Sequence, residues 1–88
     1  METKLKIILD HYGIESQAII WIEELSELTK ELCKYLRNKE FSDNGYLEIT
    51  DVQNCLDQMK IAFNYPIEKQ YEDYNYKVER TLNNIKED

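Results

Sequence analysis

With 88 residues, 33% of them charged, and a formal net charge of −7, the chain has room for one small domain covering 1–88 and not for two. The acidic balance argues against nonspecific binding to a nucleic-acid backbone, which needs a basic surface, though a bound divalent cation can reverse the local sign for an anionic ligand. Two glycines, one proline, seven tyrosines and a tryptophan describe an ordered chain with few breaks, so an all-α fold is expected.

The first predicted helix runs from about Glu2 to Tyr12 and stops at Gly13, a residue suited to a helix C-terminus. The second runs from about Glu15 to Asn38, with Ala18, Ile22, Leu25, Leu32 and Leu36 as its main core stripe. Ile20 falls instead on the side of Glu24 and Glu27, so the early part of this helix is apolar all round. That pattern predicts burial on two sides, which a partner subunit would supply. Ser42-Asp43-Asn44-Gly45 reads as a turn. The third helix covers roughly Tyr46 to Asn64, ending before Pro66, and the fourth roughly Ile67 to Ile85. Short connections favour antiparallel neighbours, so the expected product is a compact bundle of about four helices, completed by oligomerisation as a homodimer or homotetramer.

The third helix has an apolar face of Ile49, Val52, Cys55, Leu56, Met59, Ala62 and Phe63, and Glu48 points close to its middle with Asp51 at its edge. Acids in a first turn complement the helix dipole, which accounts for acidity but not for direction. A carboxylate aimed at a core must be paired, neutralised or bound to metal. Glu24/Glu27 and Glu48/Asp51 both have i,i+3 spacing, which puts each pair on one helix side. Antiparallel packing would bring the pairs together, and four such oxygen ligands suit Mg²⁺ or Mn²⁺.

Glu23-Glu24-Leu25-Ser26-Glu27 followed by Glu48-Ile49-Thr50-Asp51 resembles the EExxE and ExxD signature of the MazG-like nucleotide pyrophosphohydrolases, in the all-alpha NTP pyrophosphatase superfamily. The resemblance extends through Tyr12-Gly13 and Gln17 upstream and Lys77-Val78-Glu79-Arg80 downstream. It implies Mg²⁺-dependent hydrolysis of a nucleoside triphosphate to the monophosphate and pyrophosphate, with Glu24, Glu27, Glu48 and Asp51 as metal ligands. Glu23 would stand near the attacking water or a second metal. Lys77 and Arg80 match basic positions of the family and would meet phosphate, as could Lys30 and Lys34 on the Glu27 side of the second helix. These last two are equally placed to pair with Glu27 and Glu31. Gln17 could read a base edge, Trp21 could stack on it and Asn54 could touch sugar, while a Trp in such a run is also a natural core residue.

Two rivals compete. Residues 40–51 loosely imitate a calcium loop with Gly45 at its sixth position, but begin with Glu40 and end with Asp51 where that loop needs Asp and a bidentate Glu. A noncatalytic acidic helical interaction protein explains the double-sided second helix but not Glu48. His11 has no ligand partner at a useful spacing and reads as a surface residue. Cys33 and Cys55 read as reduced core thiols, and the start METKLKIILDHYG lacks a secretory apolar core, so a cytoplasmic protein is expected. The longest apolar run, Ala18 to Ile22, is far too short to cross a bilayer, so no membrane partner is expected.

Overall fold

The computed structural model describes residues 2–87 and is all-helical among them. The helices are α1 (Glu2–Tyr12), α2 (Ile14–Asn38), α3 (Asp43–Ala62) and α4 (Ile67–Glu87). No helix among the described residues is long and apolar enough to cross a membrane. Gly13 alone joins α1 to α2 at φ +87°, a backbone conformation that a residue with a Cβ rarely adopts. Lys39 closes α2 in the left-handed conformation and returns its N–H to the Tyr35 carbonyl.

α3 begins three residues before its predicted start. Ser42 is its N-cap, with the hydroxyl accepting the Gly45 N–H at 3.3 Å, and Asp43-Asn44-Gly45 form the first helical turn instead of a free turn. This overturns the calcium-loop alternative, because residues 43–51 are helical and cannot wrap an ion.

α1, α2 and α3 pack on one another around Leu9, Trp21, Val52 and Cys55, with Ala18, Met59, Ile61 and Ala62 against this centre. The face that α2 buries is not the predicted one. Gln17, Trp21 and Glu31 are its buried residues, whereas Ile22, Leu25, Leu32 and Leu36 lie exposed. The reason is visible at α3, whose inward stripe carries the polar Gln58 between Cys55 and Met59. The Trp21 indole N–H donates to Gln58 Oε1 at 2.6 Å, and the Gln58 amide donates to the Leu5 carbonyl at 3.3 Å. This polar tie joins all three helices, and satisfied buried polar groups specify one register. Cys55 is buried as expected, but Cys33 is exposed, because it lies on the side of α2 that nothing covers.

α4 stands away from this unit and packs on none of the other three helices. The radius of gyration is accordingly 16.0 Å, against about 12 Å for a globular domain of this length.

Candidate metal centre

The inward face of α2 and the first turns of α3 bring Glu24, Glu48 and Asp51 together. One carboxylate oxygen from each lies within 4.8 Å of the others. Glu48 and Asp51 share a side of α3 because they are one turn apart, and Glu24 faces them because it follows the buried Trp21 by one turn on α2. Glu48 Oε2 is fully buried and has no hydrogen-bond partner. Among the described residues no lysine or arginine forms an ion pair with any of the three. Burial, then the neighbouring carboxylates of Asp51 and Glu48, raises the Glu24 pKa above the ordinary carboxylate value. The Cys55 thiol, one turn beyond Asp51, is also held up, first by burial and then by the charges of Glu24 and Asp51.

Such a donor set fits a small hard cation. It is all oxygen, it is anionic, and one of its oxygens is buried with nothing to accept from. Two oxygens that share a Mg²⁺ ion at about 2.1 Å lie at most about 4.2 Å apart, so the carboxylates would have to draw slightly closer to hold one.

The other predicted site residues divide clearly. Glu27 lies outside the cluster, half exposed and paired with Lys30 at 3.5 Å. Glu23 is exposed, and its carbonyl accepts the Ser26 hydroxyl. Lys34 pairs with Glu31 at 3.3 Å. Lys77 and Arg80 are on α4, which packs on neither α2 nor α3, and Arg80 lies over the Tyr76 ring at 5.9 Å. Gln17, Trp21 and Asn54 come together with Glu24 and Asp51 around a cavity of about 190 Å³, which Leu5, Ile8 and Ile20 also line. Gln17 is only 8% exposed, and its carboxamide has no hydrogen-bond partner among the described residues. Trp21 is both a core residue and one wall of this cavity.

Glu31 and Gln58 carry weight that the sequence reading gave them in part or not at all. The buried Glu31 carboxylate accepts Asn44 Nδ2 at 2.9 Å, Ser42 Oγ at 3.3 Å and Lys34 Nζ at 3.3 Å. It therefore ties α2 to the start of α3 and fixes where Glu48 falls relative to Glu24. The pairing of Ser42 and Asn44 with an acid eleven to thirteen residues upstream was the available signal. Gln58 announced itself only as a polar residue one turn after Cys55 on an apolar stripe.

No protein-family model matches the chain, and no curated protein or solved structure does either.

Proposed function

We propose that the protein hydrolyses a nucleoside triphosphate to the monophosphate and pyrophosphate with the help of a divalent cation, Mg²⁺ or Mn²⁺. The observation that carries this reading is the unpartnered, buried Glu48 Oε2 inside a cluster of three carboxylates that no cationic side chain neutralises. The resemblance of Glu23–Glu27 and Glu48–Asp51 to the pyrophosphohydrolase signature adds the reaction class. A bound Mg²⁺ supplies charge neutralisation at phosphate oxygens.

The chain's own residues do the rest. Glu24, Glu48 and Asp51 would hold the ion as carboxylates, so Glu24 would have to be deprotonated there. Glu23, exposed on the same helix, would stand near the attacking water or a second ion, while Glu27 keeps to Lys30. The cavity beside Glu24 takes the nucleoside end, with the free Gln17 carboxamide facing a base edge and Asn54 near the sugar. Water attacks the α-phosphorus, the bond from that phosphorus to the bridging oxygen breaks, and pyrophosphate leaves as a proton is released. Lys30 and Lys34 would have to leave Glu27 and Glu31 to meet the departing phosphates, and Lys77 and Arg80 stand on α4, away from the carboxylates of the same chain. The protein works as a homo-oligomer, a reading that the uncovered aliphatic face of α2 supports.

The test is product analysis with a panel of nucleoside triphosphates and Mg²⁺, on wild type and Glu48→Gln. Monophosphate with pyrophosphate, lost in the variant, is the expected result. Absence of turnover across canonical and modified triphosphates, with no metal uptake by titration, overturns it. The second reading is then a noncatalytic helical interaction protein, which the exposed aliphatic face of α2 also favours.

A further inference from the structure

We propose that two copies associate by reciprocal exchange of α4, the fourth helix of each lying along the aliphatic face of the other's α2. This assembly does not depend on the reaction proposed above.

The chain carries two apolar stripes that it does not cover. On α2, Ile14, Ile22, Leu25, Leu32 and Leu36 lie on one side and are 41% to 67% exposed. On α4, Ile67, Tyr71, Tyr74, Val78, Leu82 and Ile85 recur at helical spacing and are 39% to 68% exposed. At about 1.5 Å per residue the α2 stripe is about 33 Å long and the α4 stripe about 27 Å, so one can lie along the other for most of its length.

The exposed area of the single chain is 7282 Å², whereas a folded monomer of this mass exposes about 5,500 Å². The excess is roughly 1,800 Å² per copy, and two copies together fall within the roughly 2,000–5,000 Å² of obligate homodimers. Pairing α2 with α2 alone would leave both α4 stripes in water. Pairing α4 with α2 covers both stripes with one contact, made twice about a two-fold axis.

Within one chain α4 makes no contact with α2, and the elbow between α3 and α4 holds it apart. Asn64 turns through φ +51°, and the Tyr65 N–H returns to the Lys60 carbonyl at 3.0 Å. The Tyr65 hydroxyl donates to Asp73, and the Gln70 amide donates to the Tyr65 carbonyl at 2.9 Å. Lys69 adds a contact to Asp73 at 3.1 Å. The first two turns of α4 are thus fastened to the elbow, and the helix is held out as a preset arm.

Sedimentation and native mass spectrometry test this on the full chain. Wild type is expected as a dimer at micromolar concentration. Leu32→Glu on α2 and Val78→Lys on α4 should each weaken the dimer by roughly 100-fold, since each puts a charge in an apolar contact. An equimolar mixture of the two variants should recover a heterodimer, because exchange leaves one contact intact and sets Glu against Lys in the other. A monomeric wild type, an α4 variant that stays dimeric, or a mixture that fails to pair overturns the proposal. A measurement on wild type alone guards against misfolded variants. In a mixture of ¹⁴N- and ¹⁵N-labelled chains, lysine cross-links joining Lys30 or Lys34 of one copy to Lys69 or Lys77 of the other are expected. Mixed-isotope cross-links confined to α2–α2 or α4–α4 pairs overturn it.

Discussion

Trp21 on α2 donates its indole N–H to Oε1 of Gln58 on α3, and both residues wall the cavity that Glu24 and Asp51 border. One hydrogen bond therefore helps to set the distance between the two helices that supply the carboxylates. Replacing Trp21 by Phe keeps most of the ring but leaves Gln58 Oε1 buried without a donor. Loss of a buried partner costs about 1–3 kcal/mol. We expect Trp21→Phe to lower the thermal midpoint by at least about 4 °C, a scale set by the size of the domain. Calorimetry checks it, and an unchanged midpoint would show that the tie is dispensable.

The three carboxylates that meet should matter more than Glu27, the fourth predicted ligand. Removal of one ligand from Glu24, Glu48 or Asp51, by Gln or Asn, should lower kcat/KM about 10³-fold, the scale of a lost electrostatic contact to the transition state. Glu27→Gln should lower it by no more than about 10-fold if Glu27 keeps to Lys30, since a surface pair is worth at most about 1 kcal/mol. Metal titration by calorimetry gives the parallel readout: affinity collapses for the first three and survives for Glu27→Gln. Equal losses at all four positions would mean that Glu27 swings in to ligate.

Metal should also stabilise the fold. An ion at 100 times its dissociation constant adds about 2.7 kcal/mol when it binds only the native state. Mg²⁺ or Mn²⁺ should raise the melting temperature of wild type and leave Glu48→Gln unmoved. Because the Glu24 pKa is raised, protons compete with the ion, and apparent metal affinity should climb as pH rises through the raised value. In chelator the same shift has the opposite face. The folded state holds the Glu24 proton more tightly than the unfolded chain, so this contribution is full below the unfolded value and fades as pH rises through the folded one.

Glu31 predicts the reverse slope. The Asn44 amide, then Lys34 and Ser42, hold its pKa below the ordinary carboxylate value despite burial. Its contribution is therefore present above the unfolded pKa and lost as pH falls through the lowered one. Asn44→Ala should cost most stability near neutral pH and flatten the acid limb, so that the two profiles converge as pH falls. Denaturant melts from pH 3 to pH 7 on both proteins check this, and identical acid limbs would sink it.

Gly45 offers a steric test of the same corner. A Cβ there would meet the Phe41 ring at 2.5 Å. Gly45→Ala has an ordinary helical backbone to occupy, so any loss comes from displaced Phe41 and not from φ. Overpacking of this kind costs about 1–3 kcal/mol. The double variant Gly45→Ala with Phe41→Leu should regain part of it in equilibrium unfolding.

Much of this architecture was legible in the sequence. Gly13 and Pro66 punctuate the helices, and the direction of Glu48 on α3 pointed to the acid cluster before any geometry. The start of α3 was misread because Ser, Asp, Asn and Gly serve both free turns and helix first turns, and only the Ser42 cap separates the two. The buried face of α2 was misread for a deeper reason. Leucine spacing reports where an apolar stripe lies on the helix, not whether the rest of the chain covers it. Gln17, Trp21 and Glu31 look like a weak stripe until Gln58, Asn44 and Ser42 supply their partners or surroundings from another helix. Glu24 and Glu27 share a motif, yet one turn of α2 carries Glu27 past the end of the cluster and into reach of Lys30.

α2 keeps Glu24 and Glu31 on the side where the chain folds onto itself, and Ile22, Leu25, Leu32 and Leu36 on the side left open. The two sides answer to different pressures. Drift among Ile22, Leu32 and Leu36 can change which chains the protein keeps company with while the carboxylates stay in position. Drift at Glu24 would remove one carboxylate of the cluster and leave the Trp21–Gln58 tie in place. If the proposed reaction and the proposed assembly both hold, a lineage built on this helix can lose either one and keep the other.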